Sequence, residues 1–416
     1  MNQTSFSARR VAPLIIMLGM MSAFGAISIN MYLPALPAIG RSLHTPTASV
    51  QLTVAAFMIG ISSGQLFWGA LSERVGRRLP LLIGFGLFVL SCCACAAAGS
   101  LSQLIVARLF QGLGACSGMA MARSIVSDRF EGTDAAMMFS WQHLIMGVAP
   151  VLAPIAGAAV LSLFGWRAIF WILAALGASL LAFIWLRLPE SRTKETALLA
   201  LSESRLAAYG ALLRNHRVLI HLFAAALAAM PLMTWYSGAS PLFQDSFGWS
   251  ASESSWLFGI MGVLIVGATQ FNRRLLRRYR PAQVIRSILA LGAIACLCTV
   301  ATVGAGLAGP PLIAAAMIFT VSLYGLVSAN MQACALAEDR SRSGSMSALF
   351  GCGIYAGGGV VAWFVTLMPP AGGVSMLSLM AVELTAAWLL LRWMDARAST
   401  GAAVETPYPT APAPKL

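Results

Sequence analysis

The segment Gly69-Ala-Leu-Ser-Glu-Arg-Val-Gly-Arg-Arg78 stands between two long apolar stretches, which cover residues 49–70 and 79–98. A membrane-spanning helix needs about 20 apolar residues, and each stretch meets that length. Both stretches are continuous rather than alternating, so we expect helices and not the strands of a barrel. The segment therefore predicts a basic turn between two spanning helices.

The same pattern of apolar stretches extends over the whole chain. Of its 416 residues, 59% are hydrophobic and 10% are charged, whereas a soluble chain averages about 45–50% apolar and about 25% charged residues. These values exclude a soluble globular chain and a disordered one. The twelve predicted spans cover residues 11–33, 49–70, 79–98, 103–125, 137–160, 168–187, 218–240, 253–271, 283–304, 311–336, 346–368 and 374–394.

The basic residues divide unequally between the two sides that these spans define. The net charge is +13, which in a soluble protein would suggest a nucleic acid partner. Here all but three of the 27 Lys and Arg lie on the side of residues 69–78, the exceptions being Arg41, Arg108 and Arg167. This asymmetry follows the positive-inside rule. It predicts an even number of spans with both termini in the cytoplasm, and it explains the charge without nucleic acid. We interpret the first apolar run as a span and not as a cleavable signal peptide.

The spans fall into two sets of six, separated by the longest polar stretch between spans. A weak repeat supports this division, because residues 267–278 place a second basic cluster at the equivalent position of the second half. Repeated six-span halves are typical of secondary transporters. We expect a cytoplasmic tail at 1–10, a six-helix bundle at 11–187, a cytoplasmic linker at 188–217, a second bundle at 218–394 and a disordered cytoplasmic tail at 395–416.

Residues 69–78 match the signature Gly-x-Leu-[small]-Asp-Arg-x-Gly-Arg-[Lys/Arg] of the major facilitator superfamily, with Glu73 in place of Asp. Further segments narrow the resemblance; they are Met31–Pro37, Arg108–Gly112, Gly147–Gly157, Gly165–Phe170 and Trp235–Pro241. Together they resemble the Bcr/CflA and MdfA-like drug:proton antiporters of bacterial inner membranes. The resemblance extends to about residue 395 and implies an all-α membrane protein with twelve helices in two pseudo-symmetric bundles.

Two regions of the resemblance imply moving parts. We expect Glu73 to lie against the N-terminus of the eleventh span and Arg77 to reach Asp128, which would latch the cytoplasmic side. The expected cytoplasmic gate is Gly69, Glu73, Arg74, Gly76, Arg77, Arg78 and Asp128. The expected hinge of the fifth span is Gly147, Pro150, Pro154 and Gly157, because proline loosens a helix and glycine allows close approach. The alternatives are charges that only set topology and ordinary packing of a kinked helix.

Arg108 is a charge inside a span, which is costly unless it faces a cavity or a partner. Gln111 lies one turn further and can share its face. The alternative is that Arg108 extends to the membrane surface. Methionine and aromatic side chains suit a cavity for varied substrates, although such residues also pack in cores or face lipid. The predicted cavity residues are Asn30, Tyr32, Arg108, Gln111, Met146, Trp235, Tyr236, Tyr324, Asn330 and Tyr355.

Asn30 departs from the pattern of the resembling family, which usually carries an acid at this position. Antiport needs a group whose protonation competes with substrate, and no carboxylate lies deep in the first six spans. The candidates for proton coupling are therefore Glu383, His143 and Asp128, unless coupling is absent. A lipophilic dication would lack a facing acid, so neutral, zwitterionic or anionic solutes fit better.

These features favour an exporter of small, drug-like organic molecules. Its expected partners are substrate, protons and the lipid bilayer, and we expect a monomer without a cofactor. The alternative is a transporter for one metabolite, such as a nucleobase, nucleoside, sugar or amino-acid derivative. An enzyme lacks support, because no metal-ligand spacing, nucleophile elbow or nucleotide loop is present.

Overall fold

A computed structural model of the chain describes residues 8–130, 132–191, 205–307, 309–339, 342–368 and 373–400. Within these ranges the secondary structure consists of helices without any strand. Among them, 12 are long and apolar enough to cross a membrane. The predicted all-α membrane fold with twelve spans is confirmed.

We number the spanning helices in chain order. They are α1 Ala8–Asn30, α2 Leu52–Val75, α3 Arg78–Ala97, α4 Leu101–Arg129, α5 Gly132–Phe164, α6 Trp166–Arg187, α7 His216–Pro241, α8 Ala251–Leu275, α9 Pro281–Gly304, α10 Pro310–Glu338, α11 Ser343–Thr366 and α12 Val374–Thr400. A turn at Leu323 interrupts α10. Short helices between the spans are given by their residues.

Two ends differ from the sequence-based bounds. The first helix ends at Asn30, and the chain continues through a short 3-10 helix, Leu33–Ala35, and a helix, Leu36–Ser42, because Pro34 cannot donate a backbone hydrogen bond to a longer α1. At the other end, α12 continues through Thr400. An ion pair between Asp395 and Arg286 holds this extension against α9. The prediction of a disordered tail from 395 is therefore wrong for residues 395–400, and residues 401–416 lie outside the described part.

The predicted linker at 188–217 is described on both sides of residues 192–204. Its second part forms a helix, Arg205–Arg214, which packs against α7 and α11. The side chains of Tyr209 and Leu212 are buried in the core of the second half. The apolar positions of this short helix thus dock it onto the second half.

The first six helices pack mainly among themselves, as do the last six, and the two halves meet along two helix pairs. These pairs are α2 with α11 and α5 with α8. Between α2 and α11, the hydroxyl of Ser62 donates to the carbonyl of Cys352 at 2.9 Å. Between α5 and α8, a Cβ on Gly262 would lie 3.2 Å from the backbone of Pro150. Small residues let these helices approach closely, which is how membrane helices associate without a hydrophobic driving force.

The end of α1 provides another junction between the halves. Gln244 lies in a π-helix, Leu242–Ser246, that continues α7. Its amide donates to the carbonyl of Pro34 at 3.1 Å. The chain after α1 therefore contacts the end of α7.

Candidate functional site

Arg108 occupies the interior of the first half. Its side chain is 0% exposed, which excludes the alternative that it extends to the membrane surface. The guanidinium carbon lies 4.3 Å from the centroid of the Tyr32 ring and 4.1 Å from that of Phe57, so both rings make cation–π contacts with it. Nη1 donates to the side-chain amide oxygen Oε1 of Gln111, one turn further along α4. The structure thus brings together three predicted site residues, Tyr32, Arg108 and Gln111.

Neighbouring helices hold the partners of Arg108 in place. The Tyr32 hydroxyl is hydrogen-bonded to the hydroxyl of Thr53 on α2, and Gln111 donates to the Cys92 sulfur on α3 at 3.0 Å. Phe57 and Cys92 were not among the predicted site residues. An apolar residue and a cysteine inside predicted spans carry no signal that separates them from ordinary packing.

Asn30 lies where the first half meets the second. Its amide nitrogen donates to the Ala26 carbonyl of its own helix at 2.8 Å. The side chain lies beside the hydroxyl of Tyr236 on α7, while its oxygen has no hydrogen-bond partner among the described residues. Asn30 thus presents an uncharged side chain to the second half. An acid at the same position would place a negative charge at this junction.

Three predicted tyrosines meet near this junction. Tyr236 on α7, Tyr324 at the turn in α10 and Tyr355 on α11 lie within electrostatic range of one another. Tyr324 and Tyr355 are only half-buried, so both retain accessible surface. We call these tyrosines and Asn30 the interface cluster. It combines aromatic faces with polar tips, which is the composition of small-molecule sites.

Trp235, Asn330 and Met146 lie elsewhere. The Trp235 ring is 0% exposed and packs in an aromatic cluster against Phe243 and Phe258. Asn330 exchanges hydrogen bonds with Asn272 on α8, at 3.2 and 2.9 Å. Met146 on α5 is exposed. These contacts support packing roles for Trp235 and Asn330 instead of the predicted cavity roles, because each is occupied by neighbours within the second half.

Glu383 on α12 is buried inside the second half with 3% of its surface exposed. Its Oε1 accepts a hydrogen bond from the Thr234 hydroxyl on α7 at 2.9 Å, and its Oε2 has no partner in the described part of the chain. Cys296 on α9 lies within electrostatic range and is hydrogen-bonded to Thr320. One oxygen of the carboxyl group is thus held by Thr234, and the other oxygen is free to carry a proton. The side chain of His143 lies outside the described residues.

The predicted contact between Arg77 and Asp128 is present. Arg77 Nε lies 3.0 Å from Asp128 Oδ2, and Nη1 donates to the Ser72 hydroxyl at 3.0 Å. Both charged side chains are largely buried, with 6% and 9% exposed. This geometry ties the turn between α2 and α3 to the end of α4. The side chains of Glu73 and Ser343 lie outside the described residues, so the predicted contact of Glu73 with α11 stays a prediction.

Glu190 joins this group, although the sequence assigned it only to the linker. Its two carboxylate oxygens accept hydrogen bonds from the backbone N–H groups of Arg77 and Arg78, at 2.8 and 3.1 Å. A carboxylate at the N-terminus of a helix is favoured by unpaired N–H groups and by the helix dipole. We call Ser72, Arg77, Asp128 and Glu190 the Arg77 cluster.

Gly76 forms the turn on which the Arg77 cluster rests. Its φ is 96° and its ψ is 175°, a conformation that only glycine adopts readily. A Cβ at this position would also collide with the Glu190 carboxylate. Gly69, Arg74 and Arg78, the other predicted gate residues, lie in or beside the same hairpin, where Arg78 also donates to the Trp185 carbonyl at 2.6 Å.

The predicted hinge residues of α5 face two neighbours. The helix includes Pro150 and Pro154 without a break. Gly157 lies against the backbone of Met31 at the end of α1, whereas Gly147 and Pro150 face α8. Because each proline removes one backbone hydrogen bond, α5 is loosened where it contacts both the end of α1 and the other half.

Comparisons with known proteins agree with this architecture. The family model of the Major Facilitator Superfamily matches residues 17–362. An uncharacterized MFS-type transporter, YdgK of Bacillus subtilis, is 32% identical over 342 residues, which are 81% of this chain and 84% of the relative. A bicyclomycin resistance protein homolog of Haemophilus influenzae is 24% identical over 85% of this chain and 89% of its own. The multidrug transporter MdfA of Yersinia pestis is 29% identical over 70% and 71%.

Solved structures show the same fold. A D-xylose-proton symporter superimposes with a TM-score of 0.73 at 15% identity, over 92% of this chain and 97% of its own. A mutant of the nucleoside transporter NupG gives a TM-score of 0.71 at 15% identity, over 92% and 99%. At this identity the likeness concerns the fold alone.

Proposed function

This chain belongs to the Major Facilitator Superfamily, and we propose that it exports small, drug-like organic molecules across a bacterial inner membrane by alternating access. It is a multi-pass membrane transporter and not an enzyme. Two relatives bear the names multidrug transporter and bicyclomycin resistance protein, which supports efflux of foreign compounds. The proposed orientation places both termini in the cytoplasm, and the proposed active unit is a monomer of two six-helix bundles with a cytoplasmic linker.

The interface cluster is the observation that carries this proposal. Its members come from α1, α7, α10 and α11, so it draws on both halves. A substrate bound there would contact both halves, and rocking of one half against the other would change its access. Aromatic rings with polar tips accept varied shapes with few directional contacts, as a broad exporter requires.

The charges around this cluster favour neutral, zwitterionic or anionic substrates. Asn30 provides no negative charge at the junction, and Arg108 lies directly behind Tyr32. A cationic substrate would therefore meet a buried guanidinium without a facing carboxylate, which is electrostatically unfavourable.

Glu383 is our first candidate for proton coupling. Its carboxyl group can exchange a proton, and its contact with Thr234 lies two residues from Tyr236 on the same helix. Asp128 is already paired with Arg77, which favours a role in the gate. His143 stays a candidate on the sequence alone.

The experiment for the exporter compares drug susceptibility and accumulation in a pump-deficient host that expresses the wild type, Arg108→Ala or Arg167→Gln. Arg167 is an exposed arginine that stacks on Trp166, so its variant controls for the loss of one charge. We expect the wild type and the control to lower accumulation of several unrelated compounds, and Arg108→Ala to lose this effect. Identical susceptibility and accumulation profiles for the wild type and Arg108→Ala would show that the proposed site is in the wrong place. Export of a single metabolite would favour the alternative, a transporter for one metabolite. Asn30 supports this alternative, because it departs from the pattern of the resembling drug exporters.

A separate measurement addresses the proton. Proteoliposomes that contain wild-type protein should show a substrate-evoked pH change, and Glu383→Gln should abolish it, because glutamine keeps an oxygen for Thr234 but cannot release a proton. A proton signal that persists in the variant would remove Glu383 from the mechanism.

A further inference from the structure

Arg108 has two guanidinium nitrogens without a hydrogen-bond partner among the described residues, and both lie on one edge of the group. Nη1 is bonded to Gln111, whereas Nε and Nη2 have no partner within the described ranges. The Nε hydrogen and one of the two Nη2 hydrogens point in the same direction in the guanidinium plane. This pair forms one of the forks that match the two oxygens of a carboxylate.

Among the described residues, no carboxylate compensates the charge of Arg108. An arginine stays protonated in proteins, and a charge at this depth is costly unless an opposite charge compensates it. The groups in electrostatic contact with Arg108 are Tyr32, Cys92 and Cys95, none of which is a carboxylate. The rings of Tyr32 and Phe57 both contact the guanidinium, and aromatic rings supply no full negative charge, so the unpaired edge is where an anion can bind.

Tyr32 connects Arg108 with the interface cluster along the chain. Asn30, beside Tyr236, ends α1, and Tyr32 follows two residues later. The Tyr32 ring contacts the guanidinium of Arg108, so the chain leads from the junction of the halves to Arg108 within two residues. Because Tyr32 and Arg108 are both fully buried, binding of a ligand at the guanidinium requires the Tyr32 ring to move away from its hydrogen bond with Thr53.

We propose that the Nε–Nη2 edge of Arg108 binds a carboxylate, and that transported substrates which carry a carboxylate are anchored there. This inference rests on the proposed function only in naming the substrate as the source of the anion. The same chemistry would accept a small free anion such as chloride, although a single ion cannot use both N–H groups as well as two oxygens do. Among the proposed substrates, those anchored at Arg108 are therefore organic acids and zwitterions that carry a carboxylate.

The test measures ligand binding to the purified full-length chain in detergent, as the shift of its melting temperature. The probes are benzoate, its neutral analogue benzamide and chloride. The variants are Arg108→Gln, Arg108→Lys and Arg167→Gln. The last variant removes an exposed arginine and controls for effects of added anions that do not depend on Arg108. We expect benzoate to raise the melting temperature of the wild type and of Arg167→Gln to a saturating value, and benzamide to leave it unchanged.

The Arg108 variants distinguish binding by the paired N–H groups of the guanidinium from binding by its positive charge alone. Losing charge-assisted hydrogen bonds should weaken benzoate binding at least about tenfold in Arg108→Gln. Arg108→Lys keeps the charge without the fork, so it should lose a similar factor for benzoate, and it keeps the proposal testable if Arg108→Gln does not fold. A saturable chloride shift that also depends on Arg108, with none for benzoate, would assign the edge to a free anion and refute the substrate role.

Two results would overturn the binding edge itself. One is a wild type that responds to neither benzoate nor chloride. The other is a response of equal affinity in the wild type and in the Arg108 variants. Since these measurements need no transport, benzoate binding in a chain that exports nothing would refute the proposed function and leave the binding edge in place.

Discussion

Replacing Gly76 with alanine perturbs the turn that carries the Arg77 cluster in two separable ways. The first is backbone strain, because φ at this residue is 96°. The second is a collision between the new Cβ and the carboxylate of Glu190. Gly165 offers a matched control, since its φ of 78° and ψ of 173° are nearly the same and its Cβ would meet open space.

The expected magnitudes follow from these contacts. Strain in this backbone region costs about 1–3 kcal/mol and is shared by Gly76→Ala and Gly165→Ala. Only Gly76→Ala displaces Glu190, which then loses N–H bonds of 2.8 and 3.1 Å. Because Glu190 is exposed and water replaces part of each bond, we expect about 1 kcal/mol for each. The excess of about 2 kcal/mol corresponds to about 5 °C in melting temperature for a bundle of this size.

The assay is thermal unfolding of the purified variants in detergent, repeated in a Glu190→Ala background. In that background the excess destabilisation of Gly76→Ala over Gly165→Ala should vanish, because no carboxylate remains to be displaced. Equal melting temperatures for the two alanine variants in the wild-type background, or an excess that survives Glu190→Ala, would refute the contact between this turn and Glu190.

Three further substitutions test other parts of the account. Asp128→Asn should lower the free energy of unfolding by about 3 kcal/mol and slow transport, because Arg77 is left buried without an anion. Asp395→Asn breaks the more exposed pair with Arg286 and should lower that free energy by at most about 1 kcal/mol. Equal melting temperatures for the two variants would contradict the difference in burial between the two pairs. Asn330→Leu should lower the free energy of unfolding by about 1–2 kcal/mol, because it leaves the Asn272 amide buried without its partner. The double variant Asn330→Leu/Asn272→Leu should recover part of this stability. A double variant without recovery would argue against the hydrogen-bonded pair. Asn30→Asp should add efflux of ethidium by placing a carboxylate at the junction, and an unchanged ethidium efflux would show that this residue does not select substrate charge.

The sequence predicted the fold well because its main determinants are local. The length of each apolar run sets a span, and the sides of the basic residues set the alternation. The ends of helices were harder to place. At the end of α1, Pro34 and the contact with Gln244 decide where the chain bends, and the second of these involves a residue 210 positions away.

The site was predictable where its residues share one turn of helix. Arg108 and Gln111 are three positions apart and do share a face. Glu190 was missed because its partners are separated from it by 113 and 112 residues, and a Pro-Glu-Ser segment is what any polar linker contains. Asn330 was assigned to the cavity because a polar residue in a span predicts function, but Asn272, 58 residues away, satisfies it. A single polar residue in a span thus indicates a partner without saying whether the partner is protein or ligand.

Helix α7 connects Glu383 with the interface cluster. Thr234 donates to Glu383 on α12, and Tyr236 lies beside Asn30 on α1. Two positions in a helix point in nearly opposite directions, so α7 stands between the carboxyl group and the junction of the halves. Pro231 lies inside this helix one turn earlier and removes a backbone hydrogen bond there. If Glu383 couples protons as proposed, a change of its protonation that lengthens or shortens the contact with Thr234 would rotate this locally loosened helix and move the Tyr236 hydroxyl relative to Asn30. The two sites would then be coupled without a chain of titratable groups between them.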